Sequence, residues 1–164
     1  MSAHAQRLKT YPAIEVRLAT LDDVEQLVML AMTLLRESPT YNALFPYDPA
    51  ATRKHMQLAI RTQCMPYIVA VHDGRIVGTI SYTMDDSFSD SKCAVMGDLF
   101  AYREYRFTPV GRTLVTALFD LVKHRGAVAI HMPIAGGHEA MPTLKNMLKK
   151  FGAEDIGVIM RKVL

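Results

Sequence analysis

Cysteine is scarce in this chain. Cys64 and Cys93 are the two among 164 residues, and they stand in no C-x-x-C spacing, which excludes a disulfide framework and a zinc cluster built on cysteine pairs. The six histidines are dispersed and no H-E-x-x-H occurs, so no metal site is expected. Long apolar stretches are missing too. The longest run is about eight residues, against the roughly 20 that span a bilayer, so a soluble protein without a membrane partner is expected. The opening residues Met1-Ser-Ala-His-Ala-Gln-Arg7 are polar and show no secretory pattern, which together with the few cysteines points to the cytoplasm. Nor does one sign of charge dominate. Nineteen Lys and Arg stand against 16 Asp and Glu, a net charge of +3; this excludes a dedicated nucleic-acid binder and admits anionic ligands such as phosphates.

What is present suits one domain. Half the residues are hydrophobic, enough for a substantial core at this length. The 11 methionines read as adaptable core filler before they read as a binding surface. Residues 1–12 carry no period and form an arm; 13–164 form the domain. A short strand over 14–18 precedes a helix that opens at Thr20 with Asp23 three residues on, as in a capping box, and continues through Val24, Leu27, Val28, Ala31, Leu34 and Leu35. Residues 38–48, with two prolines and three aromatics, form a loop whose rings cover something. Asp48 then caps a second helix, with Pro49 at its first position, running to about Cys64. Strands over 67–72 and 75–84 flank the hairpin signal Asp73-Gly74. After the acidic and serine-rich residues 85–91 come a strand over 93–101, a helix ended by Gly126, a strand over 128–132, a helix from about Ala140 to Gly152, and a last strand over 156–163.

The most informative stretch is Leu99-Phe-Ala-Tyr-Arg-Glu-Tyr-Arg106-Phe-Thr-Pro-Val-Gly111-Arg112, where an apolar strand passes through a turn into an amphipathic helix. The first turn of such a helix has N–H groups without partners and the positive end of the peptide dipoles, so it attracts phosphate. Gly111 lacks a Cβ and lets an anion approach the backbone, and Arg106 and Arg112 flank the turn. The same residues are also compatible with an ordinary strand, loop and helix bearing surface arginines.

The order of elements, with Val16-Arg-Leu-Ala-Thr-Leu-Asp-Asp23, Ile68-Val-Ala-Val-His-Asp-Gly-Arg-Ile-Val-Gly-Thr-Ile80 and Asp98-Leu-Phe-Ala-Tyr-Arg-Glu-Tyr-Arg106, resembles the GNAT superfamily of acyl-coenzyme A-dependent N-acyltransferases over nearly the whole chain. The resemblance implies an α/β (α+β) fold: one domain with a central, mixed, mostly antiparallel twisted sheet of about six to seven strands and about four flanking helices. It implies acetyl-coenzyme A as donor, a primary amine on a small molecule or protein as acceptor, and direct attack in a ternary complex. A homodimer is compatible with it. The donor signature, Arg or Gln followed by x-x-Gly-x-Gly or Ala, falls on Arg106 to Gly111. Carried over, the pyrophosphate meets Arg106, Phe107, Thr108, Val110, Gly111 and Arg112, and the pantetheine arm lies along Leu99, Phe100 and Ala101. The loop over 38–48, through Tyr41 and Phe45, and the second helix form the acceptor side together with Tyr82, and Asp85 in the acidic loop after the third strand attracts a cationic amine or is simply solvated.

Two positions depart from the family pattern. Pro109 replaces the first signature glycine and removes one N–H donor, though with Thr108 as cap a proline suits the first helical position. Leu148 stands where many members carry the tyrosine that protonates the departing thiolate, and leucine has no proton to give. A catalytically weak coenzyme A-binding or protein-interaction module is therefore an alternative. A second alternative is an aminoacyl-tRNA-directed enzyme, with Lys145, Lys149 and Lys150 on one helix as its support. Residues 38–48 also resemble small phage-encoded members.

Attack on a thioester needs a neutral amine, and a lysine-type amine has a reference pKa near 10.4, so a base helps. Asp98, on the strand beside the donor path, is the first candidate; the alternative is a carboxylate pairing with an arginine. His131 and His138 are further candidates for moving a proton, against a core histidine and a solvated loop histidine respectively. Neither cysteine has an adjacent base that makes it a nucleophile.

Overall fold

The computed structural model describes residues 14–37, 47–85, 91–134 and 141–157. In chain order these form β1 (Glu15–Leu18), a 3-10 turn (Leu21–Asp23), α1 (Val24–Glu37), α2 (Pro49–Thr62), β2 (Tyr67–His72), β3 (Arg75–Asp85), β4 (Lys92–Ala101), a second 3-10 turn (Arg103–Tyr105), α3 (Pro109–His124), β5 (Ala127–His131) and α4 (Met141–Lys150). The strands make one sheet in the order β1-β2-β3-β4-β5, antiparallel throughout except for the parallel pair β4 and β5. This is the mixed α/β fold expected from the sequence, with four helices but five strands among the described residues instead of six or seven. The sixth expected strand begins at Ile156 and Gly157, which have no strand structure, and its remainder lies outside the described residues.

Alternation along the strands builds two cores. Tyr67, Val69 and Val71 of β2 pack with Val24, Leu27, Leu30, Met56 and Ile60, so α1 and α2 cover one face of the sheet. Ile68, Ala70, Ile80, Tyr82 and Met96 point the other way and meet Val110, Leu114, Leu118 and Leu148 of α3 and α4. Strong local signals fix the helix starts. Asp48 accepts from the backbone N–H of Ala50 at 2.8 Å and of Ala51 at 3.2 Å, and Tyr47 anchors the chain before it by donating its hydroxyl to the Val28 carbonyl at 2.9 Å.

Asp23 holds the first connection. It accepts from both terminal nitrogens of Arg17, at 2.6 and 2.9 Å, and from the Thr20 N–H at 2.7 Å, while its side chain is almost wholly buried. The bonds from Arg17 hold its carboxyl below the usual range against the opposing effect of burial. The folded pKa lies under the unfolded one, so the stabilisation is present above about pH 4 and is lost as pH falls through the folded value. Asp23→Ala is expected to lower unfolding free energy by about 2 kcal/mol at pH 7. Urea titrations at pH 7 and pH 3 check this, the difference from wild type shrinking at the lower pH.

Two glycines set the geometry near the site. A Cβ on Gly78 of β3 would stand 3.0 Å from both the Phe100 carbonyl oxygen and Val110 Cγ1, and 3.2 Å from Leu114 Cδ1, so this glycine lets the start of α3 rest directly on the sheet. A Cβ on Gly97 would lie 2.3 Å from Ser81 Oγ. Gly97→Ala is expected to cost about 1–3 kcal/mol by overpacking. Adding Ser81→Ala removes the clashing atom, so the double variant should be less destabilised than the sum of the singles.

Candidate active site

The parallel ladder between β4 and β5 runs from Lys92↔Ala127 to Val95↔His131 and stops there. Beyond it β4 continues for six residues to Ala101, pairing with β3 at Leu99, Phe100 and Ala101, whereas β5 ends at His131. Among the described residues no strand pairs with that second edge of β4, so its backbone faces a notch. Leu99, Phe100 and Ala101, the expected pantetheine path, all lie on this stretch and are half-buried.

The bend that opens the notch has a visible cause. The register between β3 and β4 shifts between Ile80 and Tyr82, and there the Ser81 hydroxyl accepts from the Asp98 N–H at 3.0 Å. Gly97 and Asp98 together face Ser81, which is a β-bulge: one extra residue that turns the strand and re-aims a side chain. The re-aimed side chain is Asp98, two residues before Phe100 and on the face covered by α1 and α2. Its residue is exposed, with protein close enough to the carboxyl to remove part of its hydration. This loss of hydration pushes its carboxyl above the ordinary aspartate range, and His55 of α2 pulls it partly back. Tyr67 lies next to Ser81 across β2 and β3. Burial raises its hydroxyl's pKa first, and the charge of Asp98 and then Cys64 raises it further.

At the end of β4 the chain turns into α3. Thr108 caps the helix, accepting from the Val110 N–H at 3.3 Å and donating its own hydroxyl to the Tyr105 carbonyl at 2.6 Å, with Pro109 at the first position. The cap occupies the Val110 N–H, and Arg112 is the first residue whose N–H reaches back to the Thr108 carbonyl within the helix. Gly111 therefore keeps a first-turn N–H that neither cap nor helix uses. A Cβ built on it meets nothing within 4 Å, so the surface beside this residue is open. Phe107, at φ +61°, is 70 % exposed beside it.

The two arginines of the turn are placed differently. Arg106 does not extend its guanidinium toward the turn: Nε donates to the Ala101 carbonyl at 3.1 Å, and Nη2 pairs with Glu37. Arg112 is exposed, with its guanidinium carbon 6.0 Å from the centre of the Phe151 ring. The turn is braced from the hairpin as well, since the Tyr105 hydroxyl and His72 Nδ1 are 2.8 Å apart and Arg75 stacks over the Tyr102 ring at 4.3 Å.

The other sequence candidates scatter. His131 is exposed, not a core histidine, and stands on the last rung of the parallel ladder at the mouth of the notch. Tyr82 is fully buried in the core under α3 and α4, on the opposite face from Asp98, with its ring 5.6 Å from the Arg125 guanidinium; an acceptor has no path to it. Asp85 pairs with Cys93 near the start of β4, five residues and so roughly 15 Å from Asp98. His138, Tyr41 and Phe45 lie outside the described residues. Leu148 is buried in the second core, and no side chain reaches the notch with a proton from that position. No group of three or more metal-ligating side chains occurs among the described residues. No described helix is long and apolar enough to cross a membrane.

Sequence reasoning missed Ser81, Gly97, Tyr67, His55 and Glu37. A lone glycine inside the alternating strand 93–101 was the available signal for the bulge; the others become neighbours only through the sheet.

Comparison with known proteins bears on the fold and the family. No curated protein matches the chain by sequence. Among solved structures, an acetyltransferase from Trypanosoma brucei superposes with a TM-score of 0.70 at 19 % identity, covering 93 % of this chain and 100 % of that one. An aminoglycoside acetyltransferase from an uncultured soil metagenomic sample, in complex with sisomicin, gives 0.70 at 16 % identity, with 92 % and 96 % covered. A predicted acetyltransferase with acetyl-CoA from Clostridium acetobutylicum gives 0.70 at 12 % identity, again over 92 % and 96 %. At these identities the structures establish the fold alone. The sequence profile of the acetyltransferase (GNAT) family, however, matches residues 28–148, a span that includes Asp98, the notch and the turn into α3, and the chain belongs to that family.

Proposed function

We infer that this protein is an N-acetyltransferase that moves the acetyl group of acetyl-coenzyme A to a primary amine. The observation that carries this reading is the unpaired edge of β4 running into the start of α3, with Asp98 beside it. The residues fit such a donor. Gly111 offers a first-turn N–H at a residue with no neighbour on its Cβ side, Thr108 and Pro109 fix that turn, and the edge along Leu99, Phe100 and Ala101 offers backbone groups to an amide-bearing arm. When bound, the donor supplies an acyl carbon activated as a thioester.

Asp98 accepts a proton from the ammonium form of the acceptor, and its raised pKa brings it closer to the working pH than an ordinary carboxylate. Backbone N–H groups near Phe100 polarise the thioester carbonyl, and placing amine and acyl carbon together supplies much of the rate. The buried Leu148 leaves protonation of the thiolate to water or another group. The same observation supports the second reading, a family member that binds coenzyme A but turns over weakly. Lys145 and Lys149 both pair with Asp155, at 3.0 and 3.1 Å, which weakens the support for a tRNA-directed role.

Acetyl-coenzyme A at about 100 times its Kd is expected to stabilise the protein by about 2.7 kcal/mol, read as a rise in Tm. Free thiol released with a panel of amines then separates the readings. Turnover supports the transferase, binding without turnover supports the second reading, and no rise in Tm rejects both.

A further inference from the structure

The Arg106 guanidinium is nearly buried and spent on two partners. One is the Ala101 carbonyl at the end of β4; the other is Glu37, the last residue of α1. Glu37 stands at the negative end of its helix dipole, where a carboxylate is disfavoured. It is also the residue directly before the loop assigned to the acceptor side. A carboxylate in that unfavourable place, closing a half-buried ion pair with an arginine of the donor turn, ties three elements together: the end of β4, the turn into α3, and α1.

We propose that Glu37 is a positioning residue for the donor. Through Arg106 it fixes the spacing between the pantetheine edge at Ala101 and the phosphate-facing N–H at Gly111, and it links that spacing to the end of the helix leading to the acceptor loop. The inference rests on the donor site proposed above. Removing the charge of Glu37 leaves Arg106 nearly buried and uncompensated, and free to turn its guanidinium away from the Ala101 carbonyl. Donor affinity then falls because the two halves of its site no longer hold one distance, whereas Asp98, on the bulge, keeps its place.

The test is titration calorimetry with coenzyme A and steady-state kinetics on wild type, Glu37→Gln, Arg106→Gln and the double variant. Glu37→Gln is expected to raise the coenzyme A Kd and the acetyl-coenzyme A KM by about tenfold, with kcat within about twofold. The double variant should bind no worse than the weaker single variant, because both remove the same link. An unchanged Kd in Glu37→Gln overturns the inference, as does a fall in kcat with KM unchanged, which is the pattern of a general effect on the fold. Should Glu37→Gln fail to fold, Glu37→Asp keeps the charge but is one methylene shorter, and the same rise in Kd is expected of it. Coenzyme A failing to bind the wild type removes the functional reading itself; wild-type binding with an unaffected Glu37→Gln removes the inference alone.

Discussion

Asp98→Asn is expected to lower kcat/KM at neutral pH by at least about 10²-fold, the usual share of a positioned general base, and at the same time to raise Tm. The two effects have one origin. Partial loss of hydration on the bulge pushes the carboxyl's folded pKa above its unfolded value, so the folded protein holds that proton more tightly than the unfolded chain does. Stability associated with this group is fully present below the unfolded pKa. It is lost as pH rises through the folded pKa, so at neutral pH the ionised carboxylate weakens the fold. Asparagine removes the charge and with it both the penalty and the base. The gain in Tm should vanish near pH 3, where the wild-type carboxyl is protonated in both states. In wild type, the acid limb of the rate profile should lie above the ordinary aspartate range, and it should disappear in the variant. A variant that is slower but unchanged in Tm and in acid limb would mean that Asp98 only shapes the bulge. His55→Ala removes the group that pulls Asp98 back and should move the acid limb upward.

The sequence carried the fold well because local chemistry was decisive at each helix start. Asp48-Pro49 and Thr108-Pro109 place the starts of α2 and α3, and the apolar residues from Ile76 to Met84 mark β3, although a register shift against β2 turns Ile76 into the first core while Ile80 and Tyr82 face the second. The candidate site was easiest to propose where it is contiguous, from Leu99 to Arg112. It was less legible where it depends on pairing. Tyr82 and Asp98 both sit on strands next to the notch, but which face each occupies depends on the register between β3 and β4, and one bulge inverts that assignment. Register also places Asp85 at the far end of β4. The ion pair of Arg106 was illegible for a related reason. Its carboxylate partner, Glu37, stands 69 positions away in the chain. Long-range ion pairs leave no trace in spacing.

Gly111→Glu should act oppositely on fold and function, and more strongly than any other substitution in the turn. Residue 111 is the third position of α3, three residues after the Thr108 cap, so a glutamate there completes a capping box whose carboxylate reaches back to the Thr108 N–H. It also replaces a glycine inside a helix and puts negative charge at the positive end of the dipole. The space for it exists, since a Cβ at 111 meets nothing within 4 Å. Together these effects should stabilise the protein by about 1–2 kcal/mol, read in urea melts without ligand. The same carboxylate fills the space before the Gly111 N–H and opposes a pyrophosphate there, so coenzyme A affinity should fall by at least about 10³-fold, like-charge repulsion adding to the lost donor. Gly111→Ala separates the contributions: it keeps the helix gain, adds no charge, and should weaken coenzyme A by about tenfold, from bulk alone. A Gly111→Glu protein that is more stable and still binds coenzyme A normally would place the phosphate elsewhere.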